Sequence, residues 1–178
     1  MFCGRRKCSL EQPVIGLILV SIGAIWAVRR RFFPELPSPL PHGPDHPLLI
    51  EASHQARASL ERFREFVLWE TGQPLVKVPY TTDTGPREHI WAELLRWEGE
   101  AIDVRYANAP VSQRGPMPDE ESRALADVED WAVVLPGGRL IGGFSQRAML
   151  KMVREQNPDP SWGLRRRLKV EEARFVDA

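Results

Sequence analysis

Between Leu48 and Thr71 the apolar residues Leu49, Ala52, Ala56, Leu60, Phe63 and Val67 recur every three or four positions. Glu51, Arg57, Glu61, Arg64 and Glu65 fall largely off that face. This period predicts one amphipathic helix, opened by Asp45 or His46 with Pro47 and stopped near Gly72. Its two alanines suit a close approach to a sheet. The period then drops to two. "PLVKVPY" (Pro74–Tyr80) sets Val76, Val78 and Tyr80 against Leu75 and Lys77. After the turn "TTDTGPR", "HIWAELLRW" places Ile90, Ala92 and Leu94 on one face and His89, Trp91, Glu93, Leu95 and Trp97 on the other. "EGEA" reverses the chain into "IDVRYA" (Ile102–Ala107). Three strands joined by short turns predict an antiparallel meander.

"NAPVSQRGPMPDEES" (Asn108–Ser122) reads as a loop, and residues 116–128 suit either a short strand or a helical turn. "WAVVLPGGRLIGGF" (Trp131–Phe144) predicts a hairpin around Gly137–Gly138. "SQRAMLKMVREQN" follows as a helix with Ser145 as N-cap and Ala148, Met149, Met152 and Val153 facing inward. Beyond Pro158 the charged tail is expected to be loosely held. The fold class is therefore α+β: an antiparallel sheet of about five strands, a helix packed on it and a closing C-terminal helix.

Upstream, "PVIGLILVSIGAIWAV" (Pro13–Val28) carries no charge between "RRK" and "RRR". As a helix its 16 residues span roughly 24 Å, a length that snorkelling arginines and Phe32–Phe33 extend towards a bilayer core of about 30 Å. No small-x-small cleavage site or lipoprotein cysteine follows, so an uncleaved single-pass membrane anchor is expected. Three basic residues flank each end. Sidedness is nearly balanced, and the cluster that touches the apolar run tips the main domain towards the cytoplasm. Phe33–Pro47 holds six prolines in fifteen residues and reads as an extended spacer. His42, Asp45 and His46 fall within it, where a proline-rich loop supplies no fixed metal geometry. The expected organisation is a basic tail at 1–12, the anchor at 13–28, a spacer at 29–47, the α+β domain at 48–157 and a charged tail at 158–178.

Charge is balanced overall, with 24 basic and 24 acidic residues, but it is unevenly spread. Residues 1–31 carry six basic residues against Glu11 alone, which leaves 18 basic and 23 acidic residues in 32–178. A mildly acidic domain argues against nucleic-acid binding. Cys3 and Cys8 both precede the apolar run, so the domain has no disulfide framework and no zinc-type spacing. No cofactor is implied.

Candidate chemistry gathers in a few polar residues. Glu88 and His89 are adjacent in a strand and point to opposite faces, so they cannot pair directly. His89 suits a general base only with an orienting carboxylate from elsewhere, Asp130 or Glu88. Arg147 is expected to pair with Glu88 or Asp130, and Lys77 to join the same cluster. Gly142 and Gly143 permit a bulge or a close approach. The glycines lack phosphate-loop spacing, and "GFSQR" has Arg147 where a hydrolase elbow needs glycine.

Lys77, "EHIW" (Glu88–Trp91), "NAP" (Asn108–Pro110), "EDW" (Glu129–Trp131) and "GGFSQR" (Gly142–Arg147) occur in this order. Over about residues 60–155 the combination resembles the YegJ-like bacterial family known as domain of unknown function 2314. Residues 116–128 depart from that family's usual loop. The resemblance implies a fold and a candidate surface, comprising Lys77, Glu88, His89, Trp91, Asn108, Asp130 and Arg147, and no particular reaction. The DW…GG ending is also similar to bacterial immunity-type domains, which implies a protein partner. The expected function is a membrane-anchored, non-enzymatic binding domain. The alternative is a small hydrolase with His89 as base and Asp130 or Glu88 as its orienting carboxylate.

Overall fold

Helix formation begins where Pro47 occupies the first turn and the His46 imidazole accepts a hydrogen bond from the Leu48 amide at 3.3 Å. In the computed structural model, which describes residues 46–69 and 71–176, the expected single helix is two: α1 (Pro47–Ala58) and α2 (Leu60–Leu68). The break at Ser59 has an identifiable cause. Its hydroxyl turns back to the carbonyls of Gln55 and Ala56, and the Trp131 indole N–H enters the same spot, 3.0 Å from the Ala56 oxygen and 3.1 Å from the Ser59 hydroxyl. A foreign donor inserted into the helical ladder kinks it. The redirected α2 stacks Phe63 on Trp131 with ring centroids 5.0 Å apart.

Six antiparallel strands follow, in spatial order β4-β3-β2-β1-β5-β6. They are β1 (Gln73–Thr81), β2 (Arg87–Glu98), β3 (Ala101–Tyr106), β4 (Glu120–Ala124), β5 (Asp130–Val134) and β6 (Leu140–Gly142). Val76, Val78, Ile90, Ala92, Leu94, Ile102, Val104 and Trp131 form the main core with Ala56 and Phe63 of the helices. Two expectations change here. The sheet has six strands, because "EESRA" is β4, an edge strand with a short 3₁₀ turn after it at Leu125–Asp127. Charge at an edge blocks further pairing, so β4 lacks the apolar alternation that marks an interior strand. Trp97 also changes face, since a register shift between Leu94 and Arg96 lets it pack on the core beside Phe63.

The hairpin β5–β6 turns at Gly137, as expected, and leads into α3 (Phe144–Gln156). The N-cap of α3 is Gly143 in the left-handed region, in place of Ser145. Met152 and Val153 are buried, but the third large apolar residue sealed on this helix is Leu150, with Ala148 and Met149 only half-buried. The C-terminal segment corrects the expectation of a loose tail. It forms α4 (Trp162–Glu172), which buries Leu168, and then exchanges backbone bonds with Leu140 on β6: Leu140 donates to Arg174 at 2.7 Å and Val176 donates to Leu140 at 2.9 Å. No helix among the described residues is long and apolar enough to cross a membrane. The expected anchor Pro13–Val28 and its spacer lie outside the described residues, save the spacer's last two, His46 and Pro47.

Candidate functional site

Strand register fixes the site. Lys77 on β1 lies between Trp91 on β2 and Asp130 on β5, and His89 pairs with Pro79 one step along the same face. The start of α3 and the first turns of α1 close over this part of the face and leave a half-open cleft of about 590 Å³. Leu49, Ile50, Met149 and Met152 supply its apolar lining. Its polar lining comes from Ser53, His54 and Arg57 of α1, from Lys77, Arg87, Glu88 and His89, and from Glu129, Asp130 and Ser145. The size suits a small ligand or a few side chains of a partner.

Asp130 is 1% exposed and caps α3 from another element. Its carboxylate accepts the backbone N–H groups of Trp131 (2.8 Å), Phe144 (3.1 Å) and Ser145 (2.7 Å). Burial nevertheless raises its pKa above the ordinary 3.8, a rise opposed by Ser145 and Lys77. Lys77 is shifted in the complementary direction. Desolvation lowers its pKa below 10.5, with Asp130 and Glu129 pulling it back up. Its ammonium donates one hydrogen bond, at 3.3 Å, to the Ser145 hydroxyl.

His89 does have an orienting carboxylate, and it is Glu129. Imidazole Nδ1 and a Glu129 carboxylate oxygen share a hydrogen bond. Desolvation acts to raise the Glu129 pKa, but the bond to His89 and the nearby positive charges win and hold it below the usual 4.5. From the sequence, Asp130 or Glu88 was expected in this role. Glu129 lies just outside the ladder, where its amide still donates to the Lys77 carbonyl at 2.9 Å and its side chain is free to turn towards His89. Its place in "EDW" was the only signal.

Glu88 serves a loop. Its carboxylate accepts the amides of Val111 (2.7 Å) and Ser112 (2.6 Å), and these bonds overcome desolvation to lower its pKa. Arg147 corrects another expectation. It sends hydrogen bonds to the carbonyls of Gly142 (3.1 Å) and Val176 (3.0 Å) and stacks on Phe175 at 4.8 Å, so it fastens the C-terminal segment in place of a cleft carboxylate. Trp91 is buried beside Lys77, and Asn108 is half-buried after β3; neither lines the cleft. Of the seven expected residues, Lys77, Glu88, His89 and Asp130 meet at the cleft. Ser53, His54, Arg57 and Arg87 join them and were missed, since polar residues on α1 and at the start of β2 carry no distinctive pattern.

Chemically the cleft joins an oriented imidazole, a desolvated amine and a buried hydroxyl. It lacks one element of acyl-transfer chemistry. The amides of Phe144 and Ser145 at the head of α3, where an oxyanion would be received, are already taken by Asp130. Among the described residues no group of three or more His, Cys, Asp or Glu side chains is placed to hold a metal ion.

A six-stranded antiparallel sheet with helices over a mixed polar cleft defines a small α+β domain. The sequence profile of the family described as "Uncharacterized protein conserved in bacteria (DUF2314)" matches residues 46–165, and the chain belongs to that family. The match extends the motif-bearing region to take in α1 and the start of α4. No curated protein and no solved structure matches the chain.

Proposed function

We propose that this YegJ-like domain is a non-enzymatic binding module that receives a segment of a protein partner in the cleft between α1 and the sheet, held near a membrane by the Pro13–Val28 anchor on its cytoplasmic side. The observation that carries the reading is the fate of the cleft's polar groups. Asp130 fills the head of α3, so the amides that would stabilise a developing oxyanion are spent on the fold, while the apolar wall of Leu49, Ile50 and Met149 stays open to a ligand. Binding chemistry survives this arrangement; acyl transfer is deprived of its main electrostatic device.

The second reading is a small hydrolase, favoured by the His89–Glu129 pair, which holds the imidazole as a general base is held. One experiment separates the two. A photocrosslinking residue placed at Ile50, which is 45% exposed on the cleft wall, is expected to capture a discrete partner in cells of the source organism. The same residue at Val170 on α4 is expected to capture none. Equal capture at both positions, or ester or amide turnover that Ser145→Ala abolishes in a folded protein, would sink the binding reading.

A further inference from the structure

Every carboxylate in the cleft already holds N–H donors. Asp130 accepts three backbone amides, Glu88 accepts two, and Glu129 takes the His89 imidazole. The cations are left with donors to spare. The Lys77 ammonium has three N–H groups and makes one hydrogen bond among the described residues, a long one at 3.3 Å. Arg57 makes only a 3.4 Å bond to the Val128 carbonyl, and Arg87 has no ion pair within 4.0 Å among the described residues. Each cleft carboxylate already holds at least one N–H donor, whereas the cations keep most of theirs unused, so the cleft favours an acceptor-rich group. A bare oxyanion would fill little of about 590 Å³. The apolar wall of Leu49, Ile50 and Met149 calls for hydrocarbon on either side of that group.

Building on the partner-binding reading above, we propose that the cleft recognises an acidic side chain, Asp or Glu, carried between apolar residues of a peptide segment. Lys77 meets the carboxylate at the floor, and Arg57 and Arg87 receive it at the rim. A desolvated ammonium gains most from a ligand that returns a negative charge to it. The Arg87 guanidinium adds a planar fork suited to a carboxylate. A basic segment would instead face three cations, with every local carboxylate already engaged.

The test uses the full-length chain in detergent micelles and three probes: the blocked peptide Ac-Leu-Glu-Leu-NH2, its Gln counterpart, and inorganic phosphate. Calorimetry measures affinity, and the His54 and His89 ring resonances report where each probe sits. The Glu peptide is expected to bind saturably and move both resonances, with the Gln peptide about tenfold weaker, as for loss of a charge-assisted hydrogen bond. Arg57→Ala and Arg87→Ala alter exposed side chains, and each is expected to weaken the Glu peptide several-fold while leaving the Gln peptide unchanged. Equal binding of the two peptides would overturn the proposal, as would phosphate binding more tightly than the Glu peptide, which would point to a free anion. Capture of a partner at Ile50 that the Glu peptide cannot displace would leave the binding reading standing and remove acid recognition alone. Peptide binding without any captured partner would do the reverse.

Discussion

The Nδ1 of His89 is hydrogen-bonded to the carboxylate of Glu129, a residue 40 positions away that turns in from the head of β5. This contact ties β2 to β5 across the intervening strand β1, so it is structural as well as local to the cleft. Glu129→Gln is expected to cost about 1–2 kcal/mol in urea unfolding at neutral pH, the lower part of what a hydrogen bond to a charged group contributes, because both side chains are partly exposed. The pH dependence has a fixed sign. The Glu129 carboxyl is held below its ordinary 4.5, so its contribution is fully present above pH 4.5 and is lost as pH falls through the depressed folded-state value. Wild type is expected to lose stability over that acid range more steeply than the Gln variant; parallel curves would refute the coupling.

Asp130→Asn tests the cap on α3. The amide keeps one acceptor oxygen for three backbone donors and turns an N–H₂ group towards them. An expected loss of about 3 kcal/mol follows from leaving buried donors unmet and breaking a buried charge network. Equilibrium unfolding measures it, and a loss below 1 kcal/mol would show that helix α3 does not depend on this carboxylate.

Lys77 carries the opposite pH signature to an acid whose pKa is raised by burial. Its folded-state pKa lies below 10.5, so the unfolded chain binds the proton more tightly and stability rises as pH climbs through the folded-state value towards 10.5. Comparing wild type with Lys77→Met between pH 7 and 10.5 isolates this contribution. The wild type is expected to gain stability relative to the variant as pH rises, and a constant difference would remove the case for a desolvated amine at the cleft floor.

Periodicity made most of this fold legible. The meander and its core faces follow from apolar alternation in β1, β2 and β3, because burial on a sheet face writes itself into sequence with a period of two. The hairpin follows from the continuous apolar run of β5 ending at Gly137–Gly138. What escaped lacked such a pattern or depended on distant contacts. β4 is a charged edge, whose sequence suits a short strand or a helical turn equally. The break at Ser59 exists because Trp131, 72 residues away, inserts its N–H there. The bulge at Leu95 moved Trp97 across the sheet, as one extra residue does in any strand. At the cleft, Lys77, His89 and Asp130 stand in the quoted motifs, and so does Glu129, but only the fold turns its side chain to His89; Arg57 and Arg87 are placed by tertiary structure alone.

Gly142 joins β6 to α3 with φ of 77°, and a Cβ there would lie 2.5 Å from the Trp131 carbonyl oxygen. Gly142→Ala therefore meets both left-handed strain and a collision with backbone, and is expected to cost at least about 2 kcal/mol. Gly137 provides the control. Its φ of 81° is similar, but nothing lies within 4 Å of an added Cβ. Gly137→Ala should then cost only about 1 kcal/mol, the conformational part. Equal losses at the two sites would mean that the close approach to Trp131 contributes nothing.

The C-terminal segment is part of the domain, and its removal should show it. Leu168 is 5% exposed on α4, and Phe175 lies against Gly143 and under Arg147, so the last turn of chain covers the β6–α3 junction. Leu168→Ala is expected to cost about 2–3 kcal/mol, the cost of emptying a buried leucine site. Arg147→Lys should cost less but is also informative, because a lysine keeps the charge and loses the planar stack on Phe175. Hydrogen exchange then distinguishes a docked segment from an independent one. In the Leu168→Ala protein the amides of Leu140 and Val176, which bond across this junction, are expected to lose protection together, while those of β1 and β2 keep theirs relative to global stability. Unchanged protection at Leu140 would show that β6 holds without its C-terminal cover, and the segment would revert to the loosely attached tail that its charge pattern suggests.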